Sequence, residues 1–314
     1  MNILGIDIGG TKCAVSRLRE DGRVEEAARF PTTTRAQTLS RIYEELELLR
    51  PGSAPLIGIS CGGPLDSRKG LILSPPNLPG WDRVAICDEL TRRFGGRAFL
   101  LNDANACALA EWQFGAGRGC RNMIFLTAGT GMGAGLILDG RLYEGASGDA
   151  GEVGHLRLAD DGPVGFGKAG SFEGFCSGGG IARLARMRLA EETVLPDWAI
   201  PIDELSAKDV TEAAARGDAL AGQVLAESGR RLGQALAFLI DILNPERIVL
   251  GGLFPRCGDL LMPHVRPVLE KEALQTALQA CVLVPAELGE TIGSHGAIAA
   301  ALYASGLGTL FPSR

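Results

Sequence analysis

What this chain is short of narrows its function first. Among its 314 residues, 31 lysines and arginines stand against 37 aspartates and glutamates, a formal net charge of −6. That leaves no basic surplus for the phosphates of nucleic acid or for an anionic membrane surface, so neither partner is expected. The N-terminal MNILGIDIGG has no basic flank and no long apolar run; no signal peptide or membrane span is expected there, and the protein is expected in the cytoplasm. Eight cysteines (13, 61, 87, 107, 120, 176, 257 and 281) are scattered without any Cys-x-x-Cys pair, which predicts reduced, mostly buried thiols and no disulfide framework. None of the three histidines, His155, His264 and His295, lies near a cysteine pair with zinc-like spacing, which argues against a structural metal.

What is present is a chain that is 46% hydrophobic, enough at this length for about two domains. Asn2–Asp7, a glycine turn and Cys13–Leu18 read as a β-hairpin, with a third strand near Val24–Phe30. Helical spacing at Thr38–Leu49 and Val84–Phe94 alternates with strands at Pro55–Ser60 and Ala98–Asn102, the pattern of an α/β fold. Asn122–Thr127, the turn AGTGMGAG and Leu136–Leu138 repeat the layout of the first hairpin. From Gly145 to Gly180 glycine is dense and periodicity disappears, which predicts a long functional loop region. Asp218 is placed to cap a long helix that stops before Pro245, and the strand Arg247–Leu250 and a helix at Ile292–Tyr303 follow.

Two glycine turns carry the chemistry. Asp7, Gly9, Gly10, Thr11 and Lys12 place side-chain-free backbone where it can approach a phosphate, with Asp7 positioned to hold a hydrated Mg²⁺; an ordinary hairpin turn also demands glycine for its positive φ. Thr130, Gly131 and Gly133 form a second such turn, so that the two together would clamp a triphosphate. Neither is a Walker loop nor a dinucleotide fingerprint, because neither opens a helix in a βαβ unit. Asn102 and Asp103 end a strand and open a helix, where an aspartate serves either as helix cap or as general base, and position does not separate the two.

GIDIGGTK (5–12), LNDANACALAE (101–111), AGTGMGAG (128–135) and GEVGHL (151–156), in this order and spacing, resemble the ROK family of sugar kinases and sugar-responsive repressors, as do IVLGGLF (248–254) and IGSHGAIAAAL (292–302). The resemblance implies an actin-like ATPase fold, two ribonuclease H-like domains around a cleft: residues 1–118 with a C-terminal helix at about 292–314, and residues 119–291 with a sugar-binding loop at 145–180. It implies an ATP- and magnesium-dependent kinase acting on a hexose hydroxyl, with glucose the default acceptor and N-acetylmannosamine, N-acetylglucosamine, fructose, mannose and allose as alternatives. It further implies a homodimer with small-molecule partners only. Asp103 resembles the family's base; Asn102, Glu152, His155 and Glu173 resemble its sugar-gripping groups; Gly62, Gly63 and Asn77 resemble the opposite wall. By their own positions, Gly251 and Gly252 after a strand, with Gly293 and Gly296 at the last helix, would leave space for a flat base on the adenine side, and glycines that serve helix packing are the alternative reading. The family's cysteine cluster for zinc is replaced here by VGFGKAGS (164–171); Val164, Phe166 and Ser171 cannot stand in for thiolates, so no zinc is expected, Phe166, Phe172 and Phe175 are expected to order the loop by packing, and Cys176 is expected to be simply buried. Two other readings stand beside the kinase. A repressor would need a helix-turn-helix ahead of a first strand that already begins at Asn2, and a silent sugar binder would not need Asp103 with both phosphate turns. Polyphosphate remains an alternative donor.

Overall fold

The computed structural model describes residues 2–49, 54–199 and 201–307. Its contacts divide the chain into two compact units, Met1–Arg121 with Gly135–Ala150 and Ala286–Arg314, and Asn122–Ala134 with Gly151–Pro285. The expected helix at 292–314 is found as far as Ala304; residues 308–314 lie outside the described residues.

In the first unit, β1 (Ile3–Ile8), β2 (Lys12–Leu18) and β3 (Val24–Pro31) form an antiparallel meander, followed by α1 (Arg35–Leu48) and β4 (Leu56–Cys61). A small hairpin, β5 (Leu65–Asp66) and β6 (Leu71–Ile72), precedes α2 (Ile86–Phe94), β7 (Arg97–Asn102) and α3 (Asp103–Phe114). The sheet order is β3-β2-β1-β4-β7, with β4 and β7 parallel to β1, the order of the ribonuclease H-like sheet that the resemblance implies. β1 and β4 are nearly continuous apolar runs because both faces are covered. Leu4, Ile6, Ile8, Ile57 and Ile59 face a core shared with Ile42, Leu46, Trp81 and Leu90, whereas Ile3 and Leu56 pack with Ile298, Ala301 and Leu302 of the last helix. That helix approaches the sheet so closely that a Cβ at Gly58 would lie 1.8 Å from the Ala297 carbonyl oxygen.

β8 (Met123–Ala128) opens the second unit; β9 (Met132–Leu138) and β10 (Arg141–Leu142) form a hairpin. The glycine-rich stretch holds β11 (Val164–Gly165), β12 (Lys168–Ala169) and the short α4 (Phe172–Cys176), after which come α5 (Gly178–Leu189) and α6 (Ala207–Ala215). α7 (Ala219–Leu243) is capped by the Asp218 carboxylate, which accepts from Ala221 N–H, and ends at left-handed Asn244 before Pro245. β13 (Arg247–Leu250), α8 (Phe254–Glu272), α9 (Gln275–Ala280), β14 (Val282–Pro285) and, in the first unit, α10 (Ile292–Ala304) complete the chain. β13 runs parallel to both β8 and β14. β9 starts four residues earlier than the apolar spacing suggests, so Gly133 lies inside a strand and the turn proper is Gly129–Gly131.

Candidate active site

Register gathers the first set of residues. Ile8 pairs with Cys61 and Cys61 with Asn102, so the parallel strands β1, β4 and β7 end at one level, and the residues just past their ends, Gly9, Gly62 and Asp103, emerge at the same edge of the sheet. Asp7 sits one residue below, beside Ser60. The turn after β1 is closed by Gly9 N–H donating to the Lys12 carbonyl at 3.0 Å, and Thr32 Oγ1 donates to the Gly9 carbonyl at 2.6 Å. Neither Gly9 nor Gly10 adopts a positive φ, so hairpin geometry does not account for them. Close approach does: a Cβ at Gly10 would lie 2.7 Å from Asn77 Cβ, which sets Asn77 flush against the turn. Gly10, Thr11 and Lys12 are exposed.

The helix cap is Asn102, whose Oδ1 accepts from Ala104 N–H at 2.9 Å. Asp103 is the first helical residue; its Oδ1 shares the same N–H at 2.8 Å, and its Oδ2 faces Gly62, where a Cβ would stand 3.7 Å away. The capping role left open by sequence thus falls to the neighbour. A Cβ at Gly63 would lie 3.5 Å from Asn102 Nδ2. Water reaches Asp103 from its open side, but protein backs it closely enough that desolvation raises its pKa above the ordinary carboxylate value, against the lowering pull of backbone N–H groups at the helix start. Asp7 is more enclosed: burial pushes its pKa up to about 6, with the nearby Asp103 charge adding to the rise. Ser60 turns a buried hydroxyl toward Asp7 that lowers its pKa without completing a well-formed hydrogen bond. Gly293 of α10 lies directly over Asp7, since a Cβ there would meet Asp7 Oδ2 at 2.1 Å.

The second set is assembled around the turn Gly129–Thr130–Gly131. Gly178 N–H, at the start of α5, donates to the Gly129 carbonyl at 2.8 Å. Glu173 Oε2 accepts from Met132 N–H at 3.0 Å and would touch a Cβ on Gly131; among the described residues, its other oxygen takes no protein hydrogen bond. Gly151 accepts from Ala134 N–H through its carbonyl at 2.9 Å, and a Cβ at Gly154 would lie 2.7 Å from the Met132 carbonyl, so the segment carrying Glu152 and His155 is docked on the same strand as Glu173. Glu152 is exposed and His155 half-buried. Gly251 and Gly252 turn β13 into α8 against β8: Gly252 has φ +67°, and Gly251 packs on the Phe125 ring. Gly296 packs on the Ala106 backbone.

Arg183 of α5 escapes sequence reading because no motif contains it. Its guanidinium folds back over Gly179, as helical side chains do, and a Cβ at Gly179 would be 3.4 Å from both terminal nitrogens and 2.9 Å from the Thr130 carbonyl. Its Nε is buried without a partner, and among the described residues no carboxylate pairs with it.

Where the family resemblance puts zinc, this chain offers no donor set. Val164 and Phe166 are exposed and carry no ligand atom, and the buried Ser171 hydroxyl caps α4 by accepting from Gly174 N–H at 3.1 Å. Phe172 and Phe175 are buried as expected, but Phe166 is not: 74% of its surface is exposed, so it does not order the loop by burial. Cys176 is buried and donates to the Ser228 carbonyl.

The chain is similar to known proteins along most of its length. The glucokinase of Thermotoga maritima is 32% identical over 304 residues, covering 95% of this chain and 96% of that protein. A glucokinase from Streptomyces griseus, solved in complex with glucose and AMPPNP, superposes with a TM-score of 0.76 at 30% identity over 97% of this chain and all of the other. A ROK family transcriptional regulator, a homologue of the Escherichia coli MLC protein, gives a TM-score of 0.84 at 27% identity, covering 98% of this chain and 79% of that one. The architecture is the actin-like ATPase fold. Residues 3–304 match the ROK family along nearly the whole sequence, and the chain belongs to it.

Proposed function

We propose that this chain is an ATP-dependent kinase that phosphorylates a hexose hydroxyl, with glucose the leading acceptor. The observation that carries the reading is Asp103: a carboxylate with one oxygen held by the start of its helix, the other facing an unobstructed glycine, and a neighbour doing the capping. Its raised pKa suits a base that must take a proton and give it up again. As the sugar oxygen attacks the γ-phosphorus, its proton passes to Asp103 Oδ2, and the bond from that phosphorus to the bridging oxygen breaks to release ADP. Glu152, His155 and Glu173 orient the acceptor through its hydroxyls, and Asn102, Asn77, Gly62 and Gly63 are read as sugar-side groups as well. Each glycine turn is read as a phosphate contact through the backbone N–H groups it does not use in closing itself, Gly9 and Gly129 having spent theirs, and the Arg183 guanidinium, which has no carboxylate partner among the described residues, adds positive charge at the turn Gly129–Gly131.

A magnesium ion fits Asp7, a single carboxylate beside a buried hydroxyl that still lacks a partner, which suits a metal that keeps most of its waters. When bound it would neutralise phosphate charge. Among the described residues, no cluster of three or more acidic, histidine or cysteine groups provides an all-protein metal cage, and no helix is long and apolar enough to cross a membrane. A homodimer in the cytoplasm belongs to the same reading.

The test is ADP release from Mg-ATP across hexoses, N-acetylhexosamines and fructose, with Asp103→Asn as the blank. One strongly preferred sugar, and loss of its turnover in the variant, is expected. Sugar binding without sugar-dependent ADP would instead favour a sensor, and undiminished turnover in the variant would remove Asp103 from the mechanism.

A further inference from the structure

The two-residue loop between β11 and β12 is built against its own sequence. Gly165 pairs with Lys168, and the residues between them, Phe166 and Gly167, have φ values of +43° and +76°. A hairpin loop with both central residues left-handed selects asparagine followed by glycine; the second position obeys, but the first carries a phenylalanine, which enters that region reluctantly. The ring gains nothing from the core in return, since Phe166 is 74% exposed while Phe172 and Phe175, a few residues on, are buried.

The surroundings of this hairpin are those of the acceptor site. At its root, a Cβ on Gly165 would lie 2.9 Å from Glu173 Cβ. At its tip the Phe166 ring stands edge-to-face with His155, centroids 5.2 Å apart and planes at 83°. From the far side of the loop, Lys168 Nζ donates to the His155 carbonyl at 2.7 Å. One small hairpin therefore touches two of the three groups assigned to the sugar hydroxyls, and it presents beside them a large apolar face with no protein partner over most of its area.

We propose that Phe166 is a specificity-determining residue for the acceptor: its ring packs on the C–H face of a pyranose whose hydroxyl edge is held by His155 and Glu173. A gluco-configured ring, with its hydroxyls equatorial, offers such a face; an axial hydroxyl interrupts it. A strained backbone position and an exposed aromatic surface are then both accounted for by one ligand. The proposal rests on the sugar-kinase reading.

Phe166→Asn separates it from a structural role, because asparagine suits the turn. The variant is expected to fold with a melting temperature equal to or above that of the parent, while its KM for glucose rises about tenfold, the order of one aromatic contact, with kcat and the KM for ATP within twofold. Phe166→Trp should restore the affinity and Phe166→Leu should not. A Phe166→Asn protein with an unchanged KM for glucose, or one that loses stability together with affinity, overturns the proposal. Calorimetric titration of glucose without nucleotide keeps the two readings apart: a parent chain that binds glucose but never phosphorylates it refutes the kinase, while a tenfold weaker dissociation constant in Phe166→Asn still supports the aromatic face. A parent that binds no pyranose refutes both.

Discussion

Replacing Glu111 with alanine tests how the helix that carries Asp103 is held. Glu111, in the last turns of α3, is fully buried. Its Oε1 accepts from Glu287 N–H and Leu288 N–H, both at 3.0 Å, and its Oε2 accepts from Ala116 N–H at 2.8 Å. The carboxylate thereby ties the end of α3 to the segment that leads into α10, whose second residue, Gly293, lies against Asp7. In the alanine variant the N–H groups of residues 287 and 288, on a partly exposed segment that water can reach, lose their acceptor at the low end of about 1–3 kcal/mol each, giving a destabilisation of about 2 kcal/mol and a fall in melting temperature of about 5 °C. Glutamine should recover roughly half of this, because its carbonyl oxygen still serves residues 287 and 288 while its amide NH₂ is set against the Ala116 N–H. Thermal unfolding of the three proteins in one buffer, paired with the ADP-release assay, measures both the anchoring and its effect on turnover. An alanine variant within 1 kcal/mol of the parent, or a glutamine variant less stable than alanine, would show that the bonds around Glu111 do not carry the load assigned to them.

Three more variants probe the site itself. Asp103→Asn should lower turnover by about 10²–10⁴ without changing the melting temperature, whereas Asn102→Ala, which removes the actual cap, should cost about 1 kcal/mol; the reverse pattern in unfolding experiments would return the cap to Asp103. Asp7 has a folded pKa of about 6 against an ordinary value of 3.8, so the native state retains a proton that the unfolded chain gives up in that window. Its contribution is therefore full below pH 4 and declines as pH rises to 6, by about 3 kcal/mol in all; in magnesium-free buffer Asp7→Asn should lack this slope, and parallel stability-versus-pH curves would refute the assignment. Arg183→Met should raise the KM for ATP about tenfold with the KM for the sugar unchanged, an order set by the loss of one charge-assisted contact to phosphate; equal KM values for ATP would place Arg183 outside the donor site.

The parts of this site that can be read from sequence are those whose signal is local. DIGGTK and LND mark turns and a strand end, and Asp218 with Pro245 bounds α7 to within a residue or two. Beyond that reach lies whatever depends on register or on a distant segment. Nothing in the spacing says that Ile8, Cys61 and Asn102 end level with one another, yet that alignment is what gathers the first half of the site. Three consecutive glycines at 178–180 argue against a helix by propensity, but α5 begins there because larger residues would strike the backbone of Gly129, Thr130 and Glu173. Phe166 misleads for a related reason: an aromatic in a loop is usually held by the core, and only the three-dimensional placement of Phe172 and Phe175 shows that the core is already filled. Between Asn102 and Asp103, both good caps, composition gives no ground for choosing.

The close seating of α10 on Gly58 bears on how the first unit comes into being. β1, β4 and β7 leave the ribosome long before residues 292–304 are made, and the face that Ile3 and Leu56 present to Ile298 and Leu302 stays wet throughout that interval. Most of the second unit, from Gly151 to Pro285, is synthesised meanwhile. The unit that is begun first is thus closed last, when a helix of alanines slides onto a strand bared by glycine, and a chain stalled in translation before Ile292 would expose an unfinished sheet to chaperones and proteases rather than a folded half.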